Sequence, residues 1–519
     1  MSSTQPPGLL AVVTPTDVLT WHNDNARTGQ NLTETALTPA NVNSASFGKL
    51  FTLSVDGKVD AQPLHVANLS TPGSGSHNVV IIATEHDSVF AFDSDTGARL
   101  WQISVLGPGE TTSDRRRCFQ IAPEIGITAT PVIDRSTGPS GTIYVIAMSK
   151  NSAGKYFQRL HALNLATGAE EFGGPVEVHA TFPGTGDGSR GGIVNFDAGQ
   201  YDDRAALLLS NGVVYTSWSS HCDIRPYTGW VIGYDEKTLA QTSVFNTAPN
   251  GNEASFWNSG AGPASDSSGN LYALVANGTF DTNLDAGGFP GRGDFGNAFL
   301  KLSTADRHLA PADYFATFDV VSQSDDDNDL GSGGAMLLPD LQDAKGTARH
   351  LAIGAGKDSN IYLVDRDNMG KFHPDRNNIY QELPGALGGE EFGAPAYFNG
   401  HVYYGGVDTS LKAFALANAR LRSSPSSETR NSFRYPGTTP AISASGSKNG
   451  IVWAAENGSN AVLHAYDAND LSHELYNSDQ APGGRDHFGA GNKFITPMVA
   501  NGKVFVGTTS GVGVFGLLH

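Results

Sequence analysis

The stretch "AFDSDTGARLW", Ala91 to Trp101, decides the fold. It joins an apolar strand end to an acidic turn, a Thr-Gly pair and then a tryptophan. Occurring once, it would be an ordinary turn, but it recurs along the chain with decay. Copies begin at His161 ("HALNLATGAEEF"), Ile232 ("IGYDEKTLAQTSVF"), Ile361 ("IYLVDRDNMGKF"), Leu411 ("LKAFALANARL") and Leu463 ("LHAYDANDLSHELY"), with a weaker one at Phe299 ("FLKLSTADRHL"). Each copy follows an aromatic-containing strand opened by a Gly-rich turn, such as "GTIYVIAMS" at Gly141 or "GKVFVGTTS" at Gly502. Before that comes a small-residue strand, often with proline, as in "TATPVID" and "ITPMVA".

Three strands, a tight turn and a fourth strand make a four-stranded antiparallel unit. Such a unit cannot bury both faces alone, so neighbours must stack. Inner strands near residues 61, 128, 205, 261, 334, 394, 439 and 496 give eight units. The expected fold is all-β, an eight-bladed β-propeller of four-stranded antiparallel blades. The last unit ends at "GVGVFGLLH" without a fourth strand, and "GKLFTLSV" (Gly48 to Val55) is expected to supply it, closing the ring with an N-terminal strand. Residues 1–47 then read as an N-terminal extension and lead-in, and 48–519 as a single propeller domain. In the opening stretch Gly97 is expected at positive φ, and Trp101 against the next blade.

The bulk composition agrees. Of 519 residues 39% are hydrophobic and 16% charged, which is ample for a core, and 62 Gly with 26 Pro suits many short strands. The net charge of −19 disfavours nucleic acid and anionic membranes as partners. No apolar run is long enough to span a bilayer. The N-terminal residues show no basic segment followed by a full apolar run, so an exported protein would have a signal segment outside this sequence. Cys118 and Cys222, in loops of one face on neighbouring units, are expected to form a disulfide in an oxidising compartment, with two buried apolar fillers as the alternative.

The turn motif resembles the tryptophan-docking repeat of the eight-bladed quinoprotein alcohol dehydrogenases, the PQQ-like repeat propellers. "LTPANVNSASFGKLF" (Leu37 to Phe51) resembles the segment that opens that fold. The resemblance covers nearly the whole chain. It implies a PQQ- and calcium-dependent dehydrogenase, although such propellers also serve as scaffolds. Enzymes of that family commonly carry a vicinal Cys-Cys ring over the quinone, and this chain has no adjacent cysteines. For their calcium-binding set the nearest counterparts here are Glu124 and Asn258.

Long loops gather on one face, at 106–125, 180–203, 219–229, 246–258, 277–297, 318–332, 379–391 and 478–493, whereas opposite-face loops are short. Long loops at one end of a rigid scaffold are where binding sites sit. The densest polar stretch among them is "SSHCDIRPYTGW". In an extended chain His221, Asp223 and Arg225 would point one way, His221 as a base oriented by Asp223, Arg225 neutralising an acid and Tyr227 donating or stacking. Glu124 completes the catalytic candidates. Glu85, His86, Asn258, Lys357, Glu391 and His487 complete the ligand-binding ones, each with a satisfied loop polar group as the bland alternative. "SDDDNDLG" (Ser324 to Gly331) lacks calcium-loop spacing and reads as a solvated acidic loop. The function expected is that of an exported, monomeric protein, secreted or periplasmic, binding a small polar ligand such as a sugar or organic acid, with lyase- or hydrolase-type acid/base chemistry. The alternatives are an atypical quinoprotein dehydrogenase and a non-catalytic protein-binding scaffold.

Overall fold

The computed structural model describes residues 16–518. Residues 1–15, on which the reading of the first segment partly rests, and His519 lie outside the described residues.

The chain is almost entirely β. Among the described residues it forms eight sheets of four or more strands, met in chain order, each built on antiparallel neighbours, with Gln30–Asn31 added to the seventh as a parallel partner of Ala441–Ser445. The first, Leu64–Thr71, Gly75–Ala83, Ser88–Asp93 and Arg99–Ser104, sets the pattern. In the last, Met498–Ala500, Lys503–Gly507 and Gly511–Leu517 are joined by Phe47–Ser54 from the other end of the chain, antiparallel to Gly511–Leu517. Short additional sheets decorate the loops, one of them within 180–203.

The turn chemistry read from the opening stretch is present. Asp93 Oδ1 accepts the N–H groups of Asp95 and Thr96 and the Thr96 hydroxyl, and the Gly97 N–H returns to the Asp93 carbonyl at 2.9 Å. Gly97 has φ +74°, which a glycine adopts without a Cβ penalty. At the copy beginning Ile232 the Asp235 anchor persists, while Leu239 stands where the glycine would, at φ +57°. Trp101 packs across to the next sheet. A Cβ on Gly168, in the equivalent turn there, would fall 2.9 Å from its ring, and one on Gly97 would fall 3.2 Å from Phe51 of the last sheet.

Apolar clusters fill the space between neighbouring sheets. One holds Val66, Val79 and Ile81 against Ile133, Ile143 and Val145 of the second sheet. The series continues between every consecutive pair. A further cluster joins the ends, with Val80, Ile82 and Phe90 against Met498, Phe505 and Val512.

The lead-in segment does more than approach the first sheet. It makes at least one contact at the innermost strand of each sheet in turn. Val18 bridges His65, the Leu19 carbonyl accepts from Ile133, and Asn25 Nδ2 donates to the Leu209 carbonyl. The carbonyls of Asn25, Ala26, Thr28 and Gly29 accept from Ser265, Leu337, Tyr397 and Ile442, and Asn31 Nδ2 donates to the Val499 carbonyl. Trp21 sits among Ala206, Ala261 and Ala394. Arg27, fully buried, donates from Nε to Pro263, from Nη1 to Thr20 and Trp21, and from Nη2 to Leu207.

Arg27→Ala takes this donor from three carbonyls and the Thr20 hydroxyl in a buried site. It is expected to cost about 3 kcal/mol or more. Arg27→Lys should also destabilise, because one ammonium cannot replace a fork of donors. Urea unfolding reads this directly, and midpoints equal to the parent's would show that the segment does not hold the inner strands.

Candidate functional site

The loops that precede the inner strands converge opposite Trp21 and Arg27. They enclose a narrow pocket of about 90 Å3, open to solvent. Its walls carry Gln120, Arg204, Cys222, Asp223, Trp257 and Ser259 from one side, and Asp329, Ser332, Lys357, Phe392, Tyr435 and Phe494 from the other. Most of these residues lie a few positions before the start of an inner strand. The aromatic wall is continuous: Phe392 meets Tyr435 edge-on at 5.3 Å and Phe494 at 6.3 Å. Cations lie over it, Arg204 at 4.6 Å from Phe494, Lys493 at 4.9 Å from Tyr435 and Lys357 at 5.8 Å from Phe392.

Arg204 is the notable member. It is 3% exposed, and neither Nε nor Nη1 has an acceptor. A buried guanidinium with unmade hydrogen bonds is costly unless something supplies the acceptors. Facing it, Asp223 is fixed through Oδ1, which accepts from the Tyr227 hydroxyl (2.7 Å) and Trp257 Nε1 (3.2 Å). Lys357 is held by Asp327 (2.7 Å) and lies 3.7 Å from Asp329. Burial, partly offset by Lys357, pushes Asp329 up to about 6.

Cys118 and Cys222 are joined, as expected, with Cα atoms 5.5 Å apart, and no described cysteine is free. The bond ties the loop before the second inner strand to the turn that carries Asp223. That turn corrects the reading of "SSHCDIRPYTGW". Cys222 and Asp223 both have positive φ, so the stretch is not extended and its side chains do not share a side. Asp223 faces the axial pocket, whereas His221 and Arg225 border a separate hollow. Arg225 pairs with Asp187 through two hydrogen bonds of 2.7 and 2.8 Å. His221 is buried and held down to about 4, by burial first and Arg116 second, so it stays neutral. Tyr227 is buried with its hydroxyl committed to Asp223, and burial raises its pKa.

The other candidates are scattered. His86 and Glu124 do form a His–carboxylate pair, at 2.9 Å, which raises the imidazole, but neither lines the axial pocket. Glu85 is buried, its Oε2 accepting from the Gly126 N–H and the Thr128 hydroxyl, and burial with Asp60 beside it raises it well above the carboxylate range. Asn258 is a scaffold residue between Trp257 and Ser259, its Nδ2 donating to the carbonyls of Leu274, Gly331 and Gly333. Glu391 accepts the Gly393 N–H next to Phe392, and His487 is exposed, 3.4 Å from Asp479. Lys357 and Asp223 are the candidates that line the pocket. Arg204, Trp257, Asp329 and the aromatic wall were missed, although register in the repeat, just ahead of each inner strand, marks them.

No protein-family model matches the chain, and no curated protein does. Among solved structures, a quinohemoprotein alcohol dehydrogenase from Comamonas testosteroni superposes with a TM-score of 0.58 at 14% identity, over 98% of this chain and 81% of that one. A second, from Pseudomonas putida HK5, gives 0.61 at 14% identity, over 96% and 80%. The chain therefore shares its overall fold with these two proteins.

Burial leaves a pH signature. Glu391 is pushed up to about 8 and Asp202 to about 7, whereas unfolded carboxyls ionise near ~4. Between about pH 6.5 and 8 the native chain therefore binds protons that the unfolded chain has released, and stability falls as pH rises. The depressed histidines, His65 and His221 at about 4, act below that window, where unfolded imidazoles charge. The melting temperature is expected to be lower at pH 8 than at pH 6.5, with a shallower fall in Glu391→Gln. An unaltered slope in that variant would remove Glu391 from the account.

Proposed function

We propose that the axial pocket holds a small, flat, carboxylated molecule, and that the protein is a dehydrogenase of the quinone type acting on an alcohol or sugar hydroxyl. The observation that carries this reading is Arg204. Its unpartnered guanidinium donors suit a carboxylate, and the rings of Trp257, Phe392, Tyr435 and Phe494 suit a flat ligand face. The resemblance in fold to quinohemoprotein alcohol dehydrogenases supports the choice of cofactor class.

A quinone held there would supply the two-electron oxidant that the alcohol requires. The chain's own part is to bind and to move a proton. Arg204 and Lys357 would hold anionic groups. Asp223 would take the hydroxyl proton on Oδ2, since Oδ1 is committed to Tyr227 and Trp257. Calcium fits less well: among the described residues no three His, Cys, Asp or Glu side chains converge as a cation cage requires, and Glu124 and Asn258 do not face one another across this pocket. No step is routed through a metal.

The narrowness of the pocket favours a second reading, in which Arg204 holds the carboxylate of a sugar acid directly and no cofactor is present. We also infer that the eight sheets are the blades of one ring, closed by Phe47–Ser54, and that the described lead-in ahead of that strand, from residue 16 on, plugs one end. The disulfide supports an exported location. The acidic surface supports a monomer that avoids nucleic acid.

Incubation with pyrroloquinoline quinone, with and without calcium, should give a retained quinone absorption and dye reduction with alcohols. Arg204→Ala should weaken retention at least tenfold while the melting temperature holds. Stabilisation by gluconate but not by the quinone would select the second reading. Stabilisation by neither, with Arg204→Ala indistinguishable from the parent, would sink both.

A further inference from the structure

Behind the disulfide-pinned turn, facing away from the axial pocket, lies a hollow of about 480 Å3. It is bordered by Asp114, Arg116, Arg117, Tyr156, Gln200, His221 and Arg225. In a chain of net charge −19, three arginines at one hollow are an anomaly. Its carboxylates are already taken. Asp114 accepts from Lys150 Nζ and the Tyr156 hydroxyl, both at 2.7 Å, and Asp187 is committed to Arg225. Arg116 spends Nε on the Gly199 carbonyl (2.7 Å) and lies 4.0 Å over the Tyr156 ring, leaving its terminal nitrogens for a ligand. Arg117 is exposed and has no hydrogen bond or ion pair among the described residues. Two cationic groups are therefore uncompensated.

The second, independent observation is His221. It is 4% exposed, lies at the wall of this hollow, and its Nε2 has no partner. The other nitrogen faces the Tyr201 carbonyl, and burial keeps the ring neutral. A neutral ring that donates from Nδ1 presents a lone pair on Nε2, which accepts a hydrogen bond rather than giving one. The hollow therefore combines cationic donors with one buried acceptor.

We propose that this hollow is a second ligand site, separate from the axial pocket, for a small oxyanion that also carries an O–H group: a hydrogen phosphate, free or as a monoester, or a hydroxycarboxylate. Arg116 and Arg117 take the charged oxygens and His221 Nε2 accepts from the O–H. The arginines alone would favour the more highly charged anion. The acceptor reverses that choice, because an anion without a proton leaves Nε2 facing a lone pair.

The test is calorimetric titration at about pH 6 and low ionic strength, with two matched pairs: inorganic phosphate against sulfate, and lactate against acetate. The O–H-bearing member of at least one pair should bind at least tenfold tighter, and which pair does so identifies the source of the oxyanion. Arg117→Ala, at an exposed position that threatens no core, should weaken the preferred anion about tenfold with the melting temperature unchanged. His221→Ala should bring the members of the pair within a factor of two of each other. If that variant does not fold, Arg117→Ala and the paired titrations of the parent still decide. Equal binding within both pairs, no binding at millimolar concentration, or an Arg117→Ala protein that titrates like the parent would each overturn the proposal.

Discussion

The interaction on which the rest of the structure depends is the passage of Val18 to Asn31 across the inner strands. The proposed ring of sheets has a problem at its centre. The innermost strand of each sheet has a neighbour on one side only, so its other backbone groups face the axis and need partners. Here one segment supplies them sheet by sheet, in chain order, and Arg27 gathers carbonyls that a single strand could not reach. Close approach explains the small residues there. A Cβ on Gly262 would stand 2.2 Å from the Ala206 carbonyl, and one on Gly334 would stand 2.5 Å from Ala261.

The long-loop face is left for binding, and its backbone is irregular on one side. Arg116, Arg117, Cys222, Asp223, Glu253, Ala254, Asn258 and Ser259 all have positive φ in the loops on the sides of the axis nearest the second, third and fourth inner strands. Conformations of that kind persist where the surroundings over-determine them. The disulfide is one such constraint, and the three carbonyls held by Asn258 are another. One turn then serves two cavities. It presents Asp223 inward and His221 outward, a division that only its positive-φ residues make possible.

Those same residues mark where the sequence stopped being readable. The repeat was legible because its signal is local: Asp93 and Gly97 fix a hairpin by chemistry contained within the turn, and the pattern survives even where Leu239 replaces the glycine. The pairing of Cys118 with Cys222 was legible because repeat register put both in loops of one face. The orientation of His221 against Asp223 was not, since alternation holds only for extended backbone. Nor was the His86–Glu124 pair, whose members come from different sheets. Arg204 was overlooked because "YDDRAALLLS" reads as a charged loop end. Its value lies in what surrounds it in three dimensions, which no local window contains.

Those surroundings explain why Arg204 remains available. Several carboxyl groups lie buried in its vicinity, and if all were ionised its charge would be spent internally. They are not. Burial lifts Asp202 to about 7, and lifts Asp203 and Glu85 well above their usual range, so at neutral pH much of this acid is protonated. Asp60 is the exception, held down by Lys58 and Arg204, and it is already paired with Lys58 Nζ at 2.9 Å. The cost of burying Asp203 and Glu85 is thus met largely by protonation, whereas Lys58 and Arg204 offset that of Asp60. Lys493 is depressed by burial and then by Arg204 and Lys58 nearby. An anion entering from the long-loop face therefore meets a buried cation whose Nε and Nη1 donors the protein has left without partners, beside aromatic rings. In that setting a carboxylate makes charge-assisted hydrogen bonds at little reorganisation cost, because Arg204 is already fixed where it is needed.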